Sequence, residues 1–153
     1  MADQSKIIRS GGLTWSDIPR KYYKNSTTGF KGIARWVLLG ERDDEQALNI
    51  QTRYFEIAAG GYSSLERHHH PHTVVVIRGR GRMILGNQLE ELNLFDTIYI
   101  APKTIHQFHA DGAEVFGFIC IVDRYRDRPE VPDSPETLEK WISDPEVRRF
   151  AKI

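Results

Sequence analysis

The sequence predicts an all-β fold, an antiparallel sandwich or barrel followed by two short helices, on three observations. Short runs rich in Val, Ile, Tyr and Phe recur from about Ala34 to Val122. Turn-forming residues separate them, and the C-terminal segment carries two helix-start signatures. The runs are ARWVLLG, TRYFEIA, HTVVVIRG, GRMILGN, DTIYIAP and VFGFICIVD, strands by composition and length. Breaks are expected at Gly60-Gly61, Gly79 to Gly81, Gly86-Asn87, Ala101-Pro102 and Asp111-Gly112. After Pro132, SPETLEKWIS and DPEVRRFAKI each open with an N-cap residue, a proline at the first helical position and a carboxylate near the positive helix end. The first forty or so residues scatter Trp15, Tyr22, Tyr23 and Phe30 through polar sequence, which reads as an arm crossing the barrel or a neighbouring subunit. No linker or repeat divides the chain, so 1–153 is read as one domain, with a barrel core of about 34–122 and a helical extension of about 133–153.

A chain of 153 residues buries roughly two-thirds of the surface its unfolded form exposes, enough for a real core. Lys plus Arg and Asp plus Glu both number 21, which excludes the basic stripe of a nucleic-acid binder or an anionic-membrane binder. Small metabolites are the expected partners. The apolar run from Val115 to Val122 is far shorter than the roughly 20 residues that cross a bilayer, and no apolar signal core follows MADQSK. A soluble, cytoplasmic protein is expected. The lone Cys120 rules out an internal disulfide framework and suits a reducing compartment.

Histidine carries the functional signal. GGYSSLERHHHPHTVVVIRG, from Gly60 to Gly79, holds four of the six histidines. On a strand, Glu66, His68, His70 and His72 would share one face and Arg67 and His69 the other. A carboxylate with up to three imidazoles suits Mn, Fe, Co, Ni or Zn, and the lack of a thiolate pair argues against structural zinc or an iron-sulfur cluster. FDTIYIAPKTIHQFHA adds His106 after a strand and a proline turn, with His109 a weaker candidate. The competing reading is a surface loop, and for His69 and His109 taken singly an ordinary half-buried histidine is favoured.

These residues resemble the cupin superfamily, whose first motif is G-x5-H-x-H-x3-E-x6-G. Gly60, Glu66, His68, His72 and Gly79 fall at its spacing, with Glu66 where the first His is usual and His72 where the Glu is usual. The second motif, G-x5-P-x-G-x2-H-x3-N, is matched by position at Phe95, Ala101, Lys103, His106 and Ala110, of which only His106 keeps its identity. The resemblance implies a double-stranded β-helix, or jelly-roll barrel, with one divalent metal in its mouth held by Glu66, His68, His72 and His106. Manganese is the expected ion, with Fe, Ni, Co or Zn as alternatives. It also implies a homodimer built through N-terminal strands.

Four protein ligands leave open positions at which an ion can polarise a carbonyl, stabilise an enediolate or acidify a bound water. His70 has the parity of a cavity residue and is a candidate proton shuttle or positioning group. Alternation in Phe116-Gly117-Phe118-Ile119-Cys120 puts Cys120 near the metal if that face is interior; the alternative is an inert core thiol. GFICIVDRYRDRP and YSSLERHHHPH also look like a bacterial cupin subgroup that includes the methylthioxylulose-phosphate methylsulfurylases. That resemblance implies transfer of a methylthio group to a thiol, Cys120 being the possible acceptor, through a metal-held enediolate. A dioxygenase or a sugar-phosphate isomerase or epimerase could use the same ligands, and a non-catalytic small-molecule-binding cupin is the reading of another class. For a phosphorylated substrate, Arg53, Arg78, Arg80 and Lys103 are available cations, each with surface solubility as its default role.

Overall fold

The structure, a computed structural model, describes residues 5–24 and 28–153. Among the described residues nine strands are present: β1 (Lys21–Tyr22), β2 (Lys31–Leu39), β3 (Ile50–Tyr62), β4 (His72–Arg78), β5 (Gly81–Leu85), β6 (Gln88–Leu92), β7 (Thr97–Ile100), β8 (His106–His109) and β9 (Phe116–Asp123). Helices α1 (Pro135–Trp141) and α2 (Pro145–Phe150) follow. The strands run β6-β5-β8-β3-β9-β4-β7, with β2 also on β3 and β1 on β2. Every pairing is antiparallel. The sheet curls into the half-barrel that the strand pattern predicts.

Period-two alternation fills its interior. Phe116, Phe118, Cys120 and Val122 of β9 point inward with Phe55 and Ile57 of β3 and Val74 and Val76 of β4. Phe118 stacks on Phe55 at 5.5 Å and on Phe108 at 4.4 Å. Each such side chain contributes about 1.5–3 kcal/mol through burial. On the outer face, Tyr54 and Leu38 are covered by the N-terminal arm through Ile18 and Trp15, whose ring lies 5.2 Å from that of Tyr54. The arm therefore crosses its own barrel.

Both C-terminal helices form where their start signals lie. Ser134 accepts from Thr137 N at 3.1 Å, and Asp144 accepts from Glu146 N at 2.8 Å. They cover a second apolar cluster in which Ile142 and Val147 pack with Leu65, Ile84 and Ile105.

Three features depart from the sequence expectations. Gly60-Gly61 lies inside β3 and does not end it. Gly60 takes φ +79°, and a Cβ on Gly61 would lie 2.4 Å from the Lys31 carbonyl oxygen, so the pair forms a corner through which β3 passes from β9 to β8 while Tyr62 stays paired with Lys31 of β2. QLEEL and HQFH are strands that composition did not mark. HHHPH is not strand at all until His72. From Ser63 the chain leaves the sheet, makes single bridges from Glu66 to His106 and from Arg67 to Glu130, and bends at His69-His70 before Pro71.

Two non-glycine residues among those described have left-handed backbone, Phe95 at φ 69° and Lys103 at φ 63°. Both stand where the second cupin motif carries glycine. The turn geometry has been kept without the residue that usually supplies it.

Candidate metal centre

Three elements place the three imidazoles. His72 opens β4 and His106 opens β8. The loop bearing His68 is pinned beside β8 by Glu66 N to His106 O at 3.1 Å and His106 N to Glu66 O at 2.9 Å. Lys103 N also donates to His68 O at 2.7 Å.

Each imidazole has Nδ1 engaged away from the centre. His68 Nδ1 meets His70 O at 2.7 Å, His106 Nδ1 meets Thr104 O at 2.8 Å, and His72 Nδ1 meets Cys120 Sγ at 3.0 Å. An Nδ1–H donated to a carbonyl leaves Nε2 as the lone pair, the tautomer a metal requires. The Nε2 atoms of His68 and His72 are 2.9 Å apart. His106 Nε2 is buried without a hydrogen-bond partner. With His72 Nδ1–H donated to the Cys120 sulfur in the same sense, two Nε2 lone pairs would face each other beside the orphaned third, an arrangement costly to bury unless a cation accepts it, and the ligand atoms of all three residues lie within 4.8 Å of one another. The cluster could hold one metal ion, and its donor set fits a borderline divalent ion.

Glu66 completes the surroundings. Its Oε1 lies 3.9 Å from His68 Nε2 and 3.8 Å from His106 Nε2. Its Oε2 accepts from Lys24 Nζ at 2.5 Å and from Ser64 Oγ at 2.7 Å, and Ser64 Oγ in turn lies 3.0 Å from the Tyr23 hydroxyl. One carboxylate oxygen is tied down while the other faces the histidines.

Burial keeps the imidazoles neutral. It lowers His68 to about 4, helped by the neighbouring His106 and His70. Burial holds His72 still further below its ordinary value, again with His106 beside it. For Glu66 burial works toward protonation, but Lys24 and then His106 outweigh it and the carboxyl lies below its usual range. Burial raises the Cys120 thiol, and the nearby Arg53 charge opposes that.

The residues expected at the site are brought together, though by a different route. Alternation along a strand does not apply between Glu66 and Pro71; the bend delivers His70 instead, stacked on His68 at 3.6 Å between ring centroids. Asp127 holds it there, accepting from His69 N at 2.9 Å, from His70 N at 2.9 Å and meeting His70 Nδ1 at 2.8 Å. Those contacts, the His69 N–H first, keep the Asp127 carboxyl far below its usual range. Cys120 does face inward. His69 is exposed, and His109 lies away from the centre, with Nε2 at 2.8 Å from Gln107 Oε1 and its ring 4.2 Å from that of Phe150.

A cavity of about 190 Å³ opens onto this cluster, lined in part by His70, His72, His106, Cys120 and Arg53. Of the other cations considered from sequence, Arg78 pairs with Glu56 at 2.9 Å, Arg80 lies 3.8 Å from Glu114 and Lys103 pairs with Glu130 at 2.7 Å, all outside the cavity. Lys24, Arg35 and Arg126 line it instead. Nothing in their local sequence separates them from surface charges.

A curled antiparallel barrel with a histidine cluster in its mouth defines a cupin. The profile of the cupin domain matches residues 53–122. The chain is 35% identical over 129 residues to the 1-methylthio-D-xylulose 5-phosphate methylsulfurylase of Rhodospirillum rubrum, covering 84% of this chain and 80% of that one. It belongs to the cupin family. Among solved structures it is similar to a cupin 2 conserved barrel domain protein of Rhodopseudomonas palustris, at TM-score 0.82 and 31% identity over 96% of this chain and 98% of that one. A cupin 2 domain-containing protein of Halorhodospira halophila is 39% identical at TM-score 0.71, over 93% of this chain and 92% of the other. Among the described residues no helix is long and apolar enough to cross a membrane.

Proposed function

We propose that this chain is a metal-dependent methylthio transferase acting on a 1-methylthio ketose phosphate, with manganese the expected ion, held by His68, His72, His106 and Glu66. The observation that carries the reading is the inward thiol of Cys120, 3.0 Å from His72 Nδ1 and opening into the same cavity as the histidine cluster. Likeness to a methylsulfurylase supports it. A bound divalent ion supplies Lewis-acid stabilisation of the negative charge that develops on the substrate's carbonyl oxygen.

The chain's own residues do the rest. The sulfur of Cys120 attacks the methylthio sulfur; an S–S bond forms, the C–S bond breaks, and its electron pair passes to the carbon beside the carbonyl. Arg53 Nη2, 3.4 Å from Cys120 Sγ, favours the thiolate that attacks. The proton given up by the thiol is the one that the carbon finally takes, which leaves a 1-deoxy ketose phosphate. His70, oriented by Asp127 through Nδ1, keeps Nε2 for that relay. A second, soluble thiol then releases the methylthio group from Cys120 as a mixed disulfide.

The test is intact-mass analysis of manganese-loaded protein after exposure to 1-methylthio-D-xylulose 5-phosphate without added thiol. A methylthio adduct mapping to Cys120, absent from Cys120→Ser, is expected. Turnover at the wild-type rate by Cys120→Ser would refute the role of the thiol.

A further inference from the structure

Outside the cavity, Arg42, Arg67, Arg78 and Arg82 all meet carboxylates. Arg35, Arg53 and Arg126 line the cavity, and among the described residues none of them forms an ion pair. Arg53 is 7% exposed, and its Nε is buried with no partner. Its remaining contacts are soft ones, Nη2 to the Cys120 sulfur at 3.4 Å and the guanidinium 4.9 Å above the Phe55 ring. Arg35 Nε donates to Tyr22 O at 3.2 Å, and Arg126 Nη1 to Asp123 O at 3.4 Å.

Strand register gathers them. Arg35 stands opposite Phe55 in the β2 and β3 pairing, and Arg53 opposite Cys120 in the β3 and β9 pairing, so both lie on the inward face. Arg126 enters from the segment after β9. Two of them feel like charge: burial, then Arg53 and Arg35, bring Arg126 down to about 10, and burial and Arg53 lower Arg35. A buried guanidinium without a counter-charge, as at Arg53, is expensive, and a protein keeps one where a ligand supplies the missing anion.

Resting on the reading of this cavity as the substrate site, though not on the methylthio chemistry, we propose that Arg35, Arg53 and Arg126 form a subsite for a phosphate monoester. The lining sets four cations, Lys24 and the three arginines, against the single carboxylate of Glu66, to which Lys24 is already bound. Three free cations suit a dianion. Three planar forks also offer more donors than one carboxylate can accept, while a tetrahedral phosphate takes them from several directions. With the phosphate there and the carbonyl end at the histidine cluster, the substrate is anchored at two points and its reacting carbon is placed beside Cys120.

The experiment is calorimetric titration of inorganic phosphate, at fixed ionic strength, into metal-depleted wild type, Arg35→Met and Arg126→Met, with acetate as the comparison anion. Both substituted residues are only half-buried, which avoids the folding risk at Arg53. Metal depletion removes phosphate binding to an ion. Saturable phosphate binding by the wild type, weakened about tenfold or more in each variant while both still load manganese, is the expected result. No binding by the wild type, unchanged affinity in both variants, or acetate binding as tightly as phosphate would overturn the subsite. Methylthio transfer is read separately: its absence beside intact phosphate binding faults the reaction, and its survival in both variants with unchanged kcat/KM faults the subsite.

Discussion

Cys120 Sγ lies 3.0 Å from His72 Nδ1, so the thiol meets one nitrogen of the imidazole whose other nitrogen faces His68. Pairing of β4 with β9 sets this up, because Cys120 stands opposite Val74 and His72 lies two residues earlier on the same face. The thiol thus supports the His72 ring and faces the cavity at once.

These two roles separate by substitution. Cys120→Ser keeps a polar partner for Nδ1 and is expected to load manganese as the wild type does while losing the methylthio adduct. Cys120→Val removes that partner and is expected to weaken metal affinity by about 10–100-fold, the usual effect of losing a group that orients a ligating histidine. Competition against a chelator measures both.

Acid stability has a contributor outside the metal centre. Burial lowers His109 from 6.5 to about 4, so between these values the unfolded chain binds a proton that the folded chain does not. Stability is fully present above about pH 6.5 and falls as pH drops toward 4, by roughly 1–3 kcal/mol from this residue. His109→Leu is expected to flatten that slope, read from urea unfolding at a series of pH values.

Left-handed backbone at Phe95 carries strain that its side chain does not repay, since the residue is 70% exposed. Phe95→Gly is expected to stabilise the protein by about 0.5–1 kcal/mol, relief of the strain exceeding the entropy that glycine adds to the unfolded chain. Thermal unfolding checks this by a rise in Tm.

What the sequence made legible follows from the strength of each local signal. β4 and β9 are continuous β-branched or aromatic runs, and α1 and α2 carry cap, proline and carboxylate in order, so composition alone locates them. β8 reads HQFH and is buried on both faces, which no alternation reveals. Glu66, His68 and His72 are picked out by strand alternation and, with His106, by motif spacing, although a bend and not a continuous strand brings His68 and His70 in. Lys24, Arg35, Arg126 and Asp127 were missed because a charged residue is a surface residue by default, and only tertiary packing shows which charges face a cavity.

The three Nε2 atoms are placed to share one ion, and elemental analysis of untagged wild type beside His72→Ala and His106→Ala, purified alike and compared for folding by circular dichroism, tests whether they do. About one divalent ion per wild-type chain, lost from both folded variants, is predicted. A wild type that holds none after exposure to Mn, Fe, Co, Ni or Zn, or variants that hold as much as the wild type, would contradict the assignment.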